Sequence, residues 1–314
     1  MPERGTAQRR ARPAAALIHA LNDGVNHASN HGLNHNAKAV TWQRVGHAAI
    51  ASLYDELALT PKPGLVSLID NGSHTDMNAA TFMRSLFALR HYFAQITAAG
   101  SRGAPFAELE TLGIAAEQRM LGATRGVNTH RGAVFTLGLL CASVGALATA
   151  LAAHAADVFL PTATPRQPVQ CFNAAQLRAT LLTHWGAALH ARRQRGAGVE
   201  SAAGFPTLFD CAAPALTAAR KLGLSQRDAH LHTLFHVMAV LDDTNLIHRG
   251  GRTGLRFAQA AAREFLGAGG VQRPDALQHA ASIHRAFVAR RLSPGGCADV
   301  LAAACLLERV GALR

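Results

Sequence analysis

The chain has 314 residues, of which 49% are apolar and only 5% aromatic, with Ala and Leu dominant. That is enough apolar material for a packed core and too much for a disordered chain, and the Ala/Leu bias favours helices over sheets. The formal net charge is +12, carried almost wholly by Arg because the lysines are only Lys38, Lys62 and Lys221; such a chain attracts polyanions, among them nucleotides and coenzyme A as well as nucleic acid.

Residues 1–40 read as an extension. Between Asn22 and Asn36 the chain is rich in Asn, His and Gly, with His27, His31 and His35 spaced by four. On a helix they would share a face, but Asn and Gly oppose helix formation and polar low-complexity tracts rarely pack. Residues 41–314 are expected to form a single all-helical catalytic domain. An apolar stripe at Val45, Ala48, Ala49, Leu53 and Leu57 predicts the first helix,. Helices follow over Thr81–Ala98 and Phe106–Leu121. Ala133–Ala153 is apolar on every face, which places it at the centre of a bundle. Residues 161–173 are rich in Pro and Thr and read as a surface loop. Further helices are predicted over Leu177–Arg195, Leu208–Leu222 and Gln226–Leu241, the last opened by Ser225 with Asp228 at the third position. Asp275 to Gln278, after Pro274, opens another, and a final helix runs from Gly296 to Val310. No strand-like alternation interrupts the series, so the expected fold is all-α: a multi-helix globular bundle with functional loops at helix ends.

The five cysteines, Cys141, Cys171, Cys211, Cys297 and Cys305, form no CxxC pair. That pattern points away from a disulfide framework or zinc site and towards a reducing compartment. No apolar run reads as long enough for a membrane span, and no clean cleavage site follows Ala14–Leu21. The expectation is a cytoplasmic protein without membrane contact.

Four polar, Gly-rich segments between the helices are not explained by periodicity. The first is Thr60-Pro-Lys-Pro-Gly-Leu-Val66, with Glu56 before it and Asn71-Gly-Ser-His-Thr-Asp76 after it. Lys62 lies between two prolines on a stiff backbone, which suits a phosphate contact; the plain alternative is a surface Lys in a turn. Asp76 reads as a catalytic carboxylate or as the cap of the next helix. The second is Gly126-Val-Asn-Thr-His-Arg-Gly132, just before the apolar helix. Free amides and the helix dipole make such a position an anion site. The third runs from Asp242-Asp243 through Asn245 to Arg249-Gly-Gly251. Adjacent carboxylates at a helix C-terminus oppose the dipole, a cost more readily accepted where a cation such as magnesium compensates. The fourth is Leu292-Ser-Pro-Gly-Gly296 with Ala298-Asp299, a second helix start fit for an anion. No GxxxxGK[ST] loop, HExxH or GxSxG motif is present.

Singly these segments are weak signals. In this order, and with Gly204-Phe-Pro206 between them, they resemble the triphosphoribosyl-dephospho-coenzyme-A synthase family over residues 45–313. Two departures stand out. The family's Arg-Gly-Glu is here Gly198-Val199-Glu200, leaving Arg193 or Arg195 as replacements for the Arg, and position 297 is Cys where Ser is usual. The resemblance implies an all-α enzyme that joins ATP to 3′-dephospho-coenzyme A with loss of adenine. The product is the precursor of the prosthetic group on the acyl carrier subunit of malonate decarboxylase or citrate lyase, handed on to a prosthetic-group transferase. The wording around Asp242–Leu246 and Ala289–Pro294 is closer to the malonate decarboxylase branch.

On that reading Glu56, Asp76 and Asp243 are the candidate catalytic carboxylates. Asp242, Asp243 and Asp299 are candidate holders of Mg2+. Lys62, His130, Arg131 and Arg249 would hold the triphosphate, so that Lys62→Ala would cost ATP binding or turnover without unfolding the protein. Gly64, His74, Asn128, Thr129, Gly132, Asn245, Gly250, Ser293, Gly295 and Gly296 complete the expected substrate-binding set. Substitution at an anomeric carbon passes through an oxocarbenium-like state, which calls for a negative group near the ribose and a base for the attacking hydroxyl. The same residues suit a hydrolase that cleaves the ribosyl–base bond with water. The charge alone would suit a nucleic-acid-binding protein, but the basic residues are scattered and aromatics are few.

Overall fold

The computed structural model describes residues 41–158, 172–192 and 197–313. The His-rich extension, most of the Pro/Thr-rich loop, and Arg193 and Arg195 lie outside the described residues. The described helices are α1 (Trp42–Ala58), α2 (Ala79–Leu89), α3 (Tyr92–Ser101), α4 (Phe106–Thr124), α5 (Arg131–Val158) and α6 (Ala174–Ala191). They continue with α7 (Ala197–Ala202), α8 (Ala213–Lys221), α9 (Gln226–Val240), α10 (Thr244–Gly267), α11 (Ala276–Ala289) and α12 (Gly295–Arg309). The described residues contain no strand. The fold is all-α.

Side-chain caps set several helix starts. Thr41 accepts the N–H of Arg44 at α1, and Ser225 accepts that of Asp228 at α9. Asn78 with Thr81, and Asn173 with Gln176, form reciprocal capping boxes at α2 and α6,. Asp275 makes no such cap at α11; its carboxylate pairs with Arg273.

Three segments differ from the periodicity. The expected helix over 81–98 is two: α2 ends at Leu89, where the Phe87 carbonyl accepts both the backbone N–H and the guanidinium of Arg90. The expected helix from 208 begins as a π-helical turn, Thr207–Ala212. Pro214 brings no N–H to the ladder there, and the chain bonds five residues back instead, Ala213 to Leu208. Residues 244–267 form a helix that the Gly-rich wording concealed; it bends at Gly251, whose φ of 61° and ψ of −165° are not helical.

α5 and α12 make up the centre, and α12 is buried along almost its whole length. The stretch Arg131–His154 does have the length and composition of a membrane span, contrary to the expectation from sequence. Its most apolar window is 72% buried among the other helices, as befits a core helix. α5 crosses α3 at backbone contact. A Cβ on Gly145 would lie 2.1 Å from the Thr97 carbonyl oxygen, and one on Gly100 would lie 2.1 Å from that of Ala142. One turn further on, the buried Tyr92 hydroxyl passes over Gly138 to donate to the Val134 carbonyl at 3.0 Å.

Backbone contact of this kind leaves no room for repacking. Gly145→Leu is expected to cost about 3 kcal/mol or more in urea unfolding. Gly122→Ala in α4, where a Cβ meets open space, is expected to gain up to about 1 kcal/mol.

Candidate functional site

A cleft of about 980 Å³ opens where the starts of α5, α10 and α12 converge with α4 and the loop after α1. Of the expected site residues, Glu56, His74 and Asn128 through Gly132 line it. So do Asn245, Arg249, Ser293, Gly295, Gly296 and Asp299. Lys62, Gly64, Asp76, Asp242, Asp243 and Gly250 are not in its lining.

Asp243 explains part of that division. α9 ends at Val240, so the adjacent carboxylates do not burden a helix C-terminus. Asp243 is instead the N-cap of α10, where it favours the dipole. Its Oδ1 accepts the backbone N–H of Asn245 (2.8 Å) and Leu246 (3.3 Å), and its Oδ2 accepts that of Cys297 (2.9 Å) in α12. The side chain is 1% exposed, and burial pushes its pKa up against these bonds. A Cβ on Gly296 would lie 3.1 Å from Oδ2, so the residue is small to let the carboxylate in. Asp242 is exposed and takes the Gln259 amide at 3.3 Å.

Lys62 is also turned inward. It is 1% exposed, and its Nζ donates to both the carbonyl and the Oε1 of Glu56 at 2.5 Å. Its charge is spent on a buried partner rather than offered to a phosphate, and desolvation lowers its pKa. Glu56 is buried as well, and it lines the cleft. Asp299 faces the same space. It accepts the Ala133 N–H at the start of α5, and burial, then the Glu56 and Asp243 carboxylates, raise its pKa well above the usual range. Gly132 admits it: a Cβ there would lie 2.0 Å from the Asp299 Oδ2. The helix start expected to bind an external anion thus already holds a carboxyl group of the protein.

At the rim, Arg249 joins three segments. It donates to the Ser73 carbonyl (3.1 Å), the Arg291 carbonyl (3.3 Å) and His74 Nδ1 (3.0 Å). A guanidinium only donates, so the His74 proton is on Nε2 and is given to Ser293 Oγ at 2.9 Å. Burial and then Arg249 lower the His74 pKa. Asp76 stands outside this set, exposed and 3.6 Å from His74 Nδ1, and the cap of α2 is Asn78. Gly64 and Gly250 serve packing: their missing Cβ atoms make way for the Leu292 carbonyl and side chain. Pro294, the residue before α12, supplies no side-chain cap, and Gly295 lies beside Asn245 while Gly296 lies against Asp243.

His130 is 3% exposed, and its Nδ1 lies 2.7 Å from the buried Ser85 Oγ. Burial, and then the Lys62 charge, push its pKa down to about 3. It is neutral at physiological pH and holds no phosphate by charge. Its Nε2 has no partner and neither does the neighbouring Thr129 Oγ1; leaving such buried groups unpaired costs about 1–3 kcal/mol each. Arg131 is paired with Glu117 of α4.

Sequence reading missed Ser85, Glu117 and a further cleft cation, Arg192. Arg192 forms a two-pronged pair with Glu110 at 3.2 and 3.3 Å and lies over the Phe106 ring. Glu110, Gly113 and Glu117 recur at helical spacing on α4 and all line the cleft. That stripe is the signal that could have revealed the two arginines. Glu200, in the departure from Arg-Gly-Glu, caps Thr207 through its backbone and hydroxyl, both at 3.0 Å.

Among the described residues, no three His, Cys, Asp or Glu side chains come together to hold a metal. Asp242 and Asp243 do not line the cleft, and Asp243 is turned onto the starts of α10 and α12, so the expected set does not converge on a resident ion.

Comparison with known proteins agrees with the geometry. A family model for ATP:dephospho-CoA triphosphoribosyl transferase matches residues 42–314. A 2-(5″-triphosphoribosyl)-3′-dephosphocoenzyme-A synthase of Pectobacterium atrosepticum is 42% identical over 277 residues, covering 84% of this chain and 87% of that protein. Probable synthases of the same name from Vibrio cholerae (39% identical; 84% and 87% covered) and Acinetobacter calcoaceticus (36%; 85% and 91%) are also similar. No solved structure matches the chain. With these findings, the helical fold and its polar cleft define a transferase that works on ATP. More particularly, the chain belongs to the family of ATP:dephospho-CoA triphosphoribosyl transferases.

Two outcomes follow from the buried charges. Lys62→Ala strands Glu56 in the core and is expected to cost about 3–5 kcal/mol of stability, contrary to the expectation from sequence. The double variant Glu56→Gln/Lys62→Met should recover most of that loss in urea unfolding. Second, the unfolded chain binds a proton at each His near pH 6.5, whereas folded His130 does so only near 3 and His232 near 4. The contribution of these histidines to stability is therefore expected to fall as pH drops below about 6.5, by up to about 1.4 kcal/mol per pH unit for each, against an opposite trend from Asp243 and Asp299, whose raised pKa values favour the folded state on protonation. His130→Gln should flatten that slope.

Proposed function

We propose that the cleft joins ATP to 3′-dephospho-coenzyme A and releases adenine, and that its acidic floor and basic rim divide the work. The observation that supports this is the convergence of Glu56 and Asp299 on the same cleft as Arg131, Arg249 and the Gly295–Gly296 turn that opens α12. The triphosphate lies against Gly295, Gly296, Asn245 and Arg249, where free amides and a guanidinium meet. It remains intact and acts as a handle that positions the ribose. Magnesium enters as part of the nucleotide substrate.

The C1′–N9 bond of ATP breaks with its electron pair passing to the purine, and a bond forms between C1′ and a ribose hydroxyl oxygen of the acceptor. The hydroxyl proton passes to a floor carboxylate, and the purine takes up one proton. Glu56 and Asp299 stand where positive charge develops on the sugar. The product is the prosthetic-group precursor for the acyl carrier subunit of malonate decarboxylase or citrate lyase, passed to a transferase that loads it. The unpaired thiols of Cys141, Cys211, Cys297 and Cys305 suit a cytoplasmic setting.

Purified protein given ATP and magnesium is expected to release adenine only when 3′-dephospho-coenzyme A is present, with a product heavier by one triphosphoribosyl group. Release with water alone would replace this reading with a hydrolase. Asp299→Asn should lower kcat by roughly 10²- to 10⁴-fold while leaving the fold intact by circular dichroism.

A further inference from the structure

We propose that His130, steered by Ser85, is the residue that recognises the departing base: its Nε2–H, with the Thr129 hydroxyl beside it, takes a ring nitrogen of adenine. The proposal rests on the transfer reading above and assigns one end of the donor within it.

Ser85 is wholly buried in α2, and its hydroxyl has one partner, His130 Nδ1 at 2.7 Å. A buried hydroxyl proton left without an acceptor is costly, so Ser85 donates and Nδ1 accepts. The ring proton is therefore on Nε2. Phe82 meets the ring edge-on at 4.9 Å and, with Ser85, fixes its plane. His130 is 97% buried, lines the cleft, and presents a donor that no atom of the chain satisfies. Thr129 Oγ1, one residue away and also lining the cleft, is buried and unpaired too. Two unpaired polar atoms on consecutive residues mark a place completed by a ligand.

The chemistry of that ligand follows from the charge. The Lys62 ammonium and burial keep the imidazole neutral, so it suits an uncharged acceptor, not a phosphate. Of the uncharged acceptors flanking the breaking bond, the ribose ring oxygen turns positive and the 2′-hydroxyl loses electron density as an oxocarbenium-like state forms, which leaves the purine ring nitrogens. As the electron pair of the C1′–N9 bond passes into the purine, negative charge grows on those nitrogens. A preoriented N–H in a dry setting stabilises it. The proton lost by the acceptor hydroxyl balances the one gained by adenine, so His130 ends the cycle with its own proton. Ser85 is a positioning residue that acts through His130.

The test compares ATP, 7-deaza-ATP and 3-deaza-ATP as donors for wild type, His130→Ala, Ser85→Ala and Ser85→Thr, by base release and by kcat and KM. With ATP, His130→Ala is expected to lower kcat roughly 100-fold and to shift KM for 3′-dephospho-coenzyme A less than about threefold. With the analogue that lacks the contacted nitrogen, wild type is itself slowed and His130→Ala adds less than about threefold. Ser85→Ala should follow His130→Ala, and Ser85→Thr should restore turnover. Equal slowing of all three donors by His130→Ala would overturn the proposal. If His130→Ala does not fold, the Ser85 pair carries the same comparison. Acceptor-independent release by wild type would count against the transfer reading instead. Calorimetry with adenine alone separates the two failures: binding by wild type that is lost in His130→Ala upholds the assignment, and binding that is absent or unchanged overturns it.

Discussion

The Asp243 carboxylate accepts three backbone N–H groups from the first turns of two helices, and the rest of the cleft is built outward from it. α10 and α12 are distant in sequence, yet their starts are held to one buried side chain. Asn245 and Arg249 leave that point along α10, and Gly295, Gly296 and Asp299 along α12. The loop between α11 and α12 is drawn in with them, because Leu292 packs where Gly64, Gly250 and Gly254 carry no Cβ. Arg249 then ties this loop to the one after α1 through the Ser73 and Arg291 carbonyls. A carboxylate held by three backbone N–H groups at the starts of two helices is fixed in place. It belongs to the frame of the site.

Charge is layered across the cleft. The floor carries Glu56 and Asp299, with the Lys62 ammonium tied to Glu56. The rim carries Arg249 together with the Arg131–Glu117 and Arg192–Glu110 pairs. Between them stands a histidine whose neutrality follows from its burial next to Lys62. The proposed transfer calls for this polarity. Positive charge grows on the ribose, a fixed negative charge trails behind on three phosphates, and an uncharged base departs.

The helical fold was legible because α5 is apolar on every face and because Ser225 signals its cap in the sequence. The four polar segments were legible as exceptions to that periodicity, and their order identified the family. The roles within them were not. Asp242-Asp243 read as an electrostatic burden because the helix from Thr244 was hidden by Gly250 and Gly251, and without it Asp243 could not be seen as a cap. Lys62 read as an outward phosphate contact because nothing local shows that its Nζ folds back on Glu56. Ser85 and Arg192 were invisible for a related reason. Each acquires its meaning from a residue tens of positions away, His130 or Glu110, and single-sequence patterns carry only local information. The break at Arg90 is a local turn inside a continuous apolar pattern, below the resolution of any periodicity.

The glycines that bring α5 against α3 have a mechanical consequence. Two helices in backbone contact can neither approach further nor slide past each other without steric clash, so α5 is clamped where it crosses α3, between Val134 and Gly145. That wall of the cleft is stationary. The opposite wall has the slack, because α10 bends at Gly251 and open space surrounds that glycine.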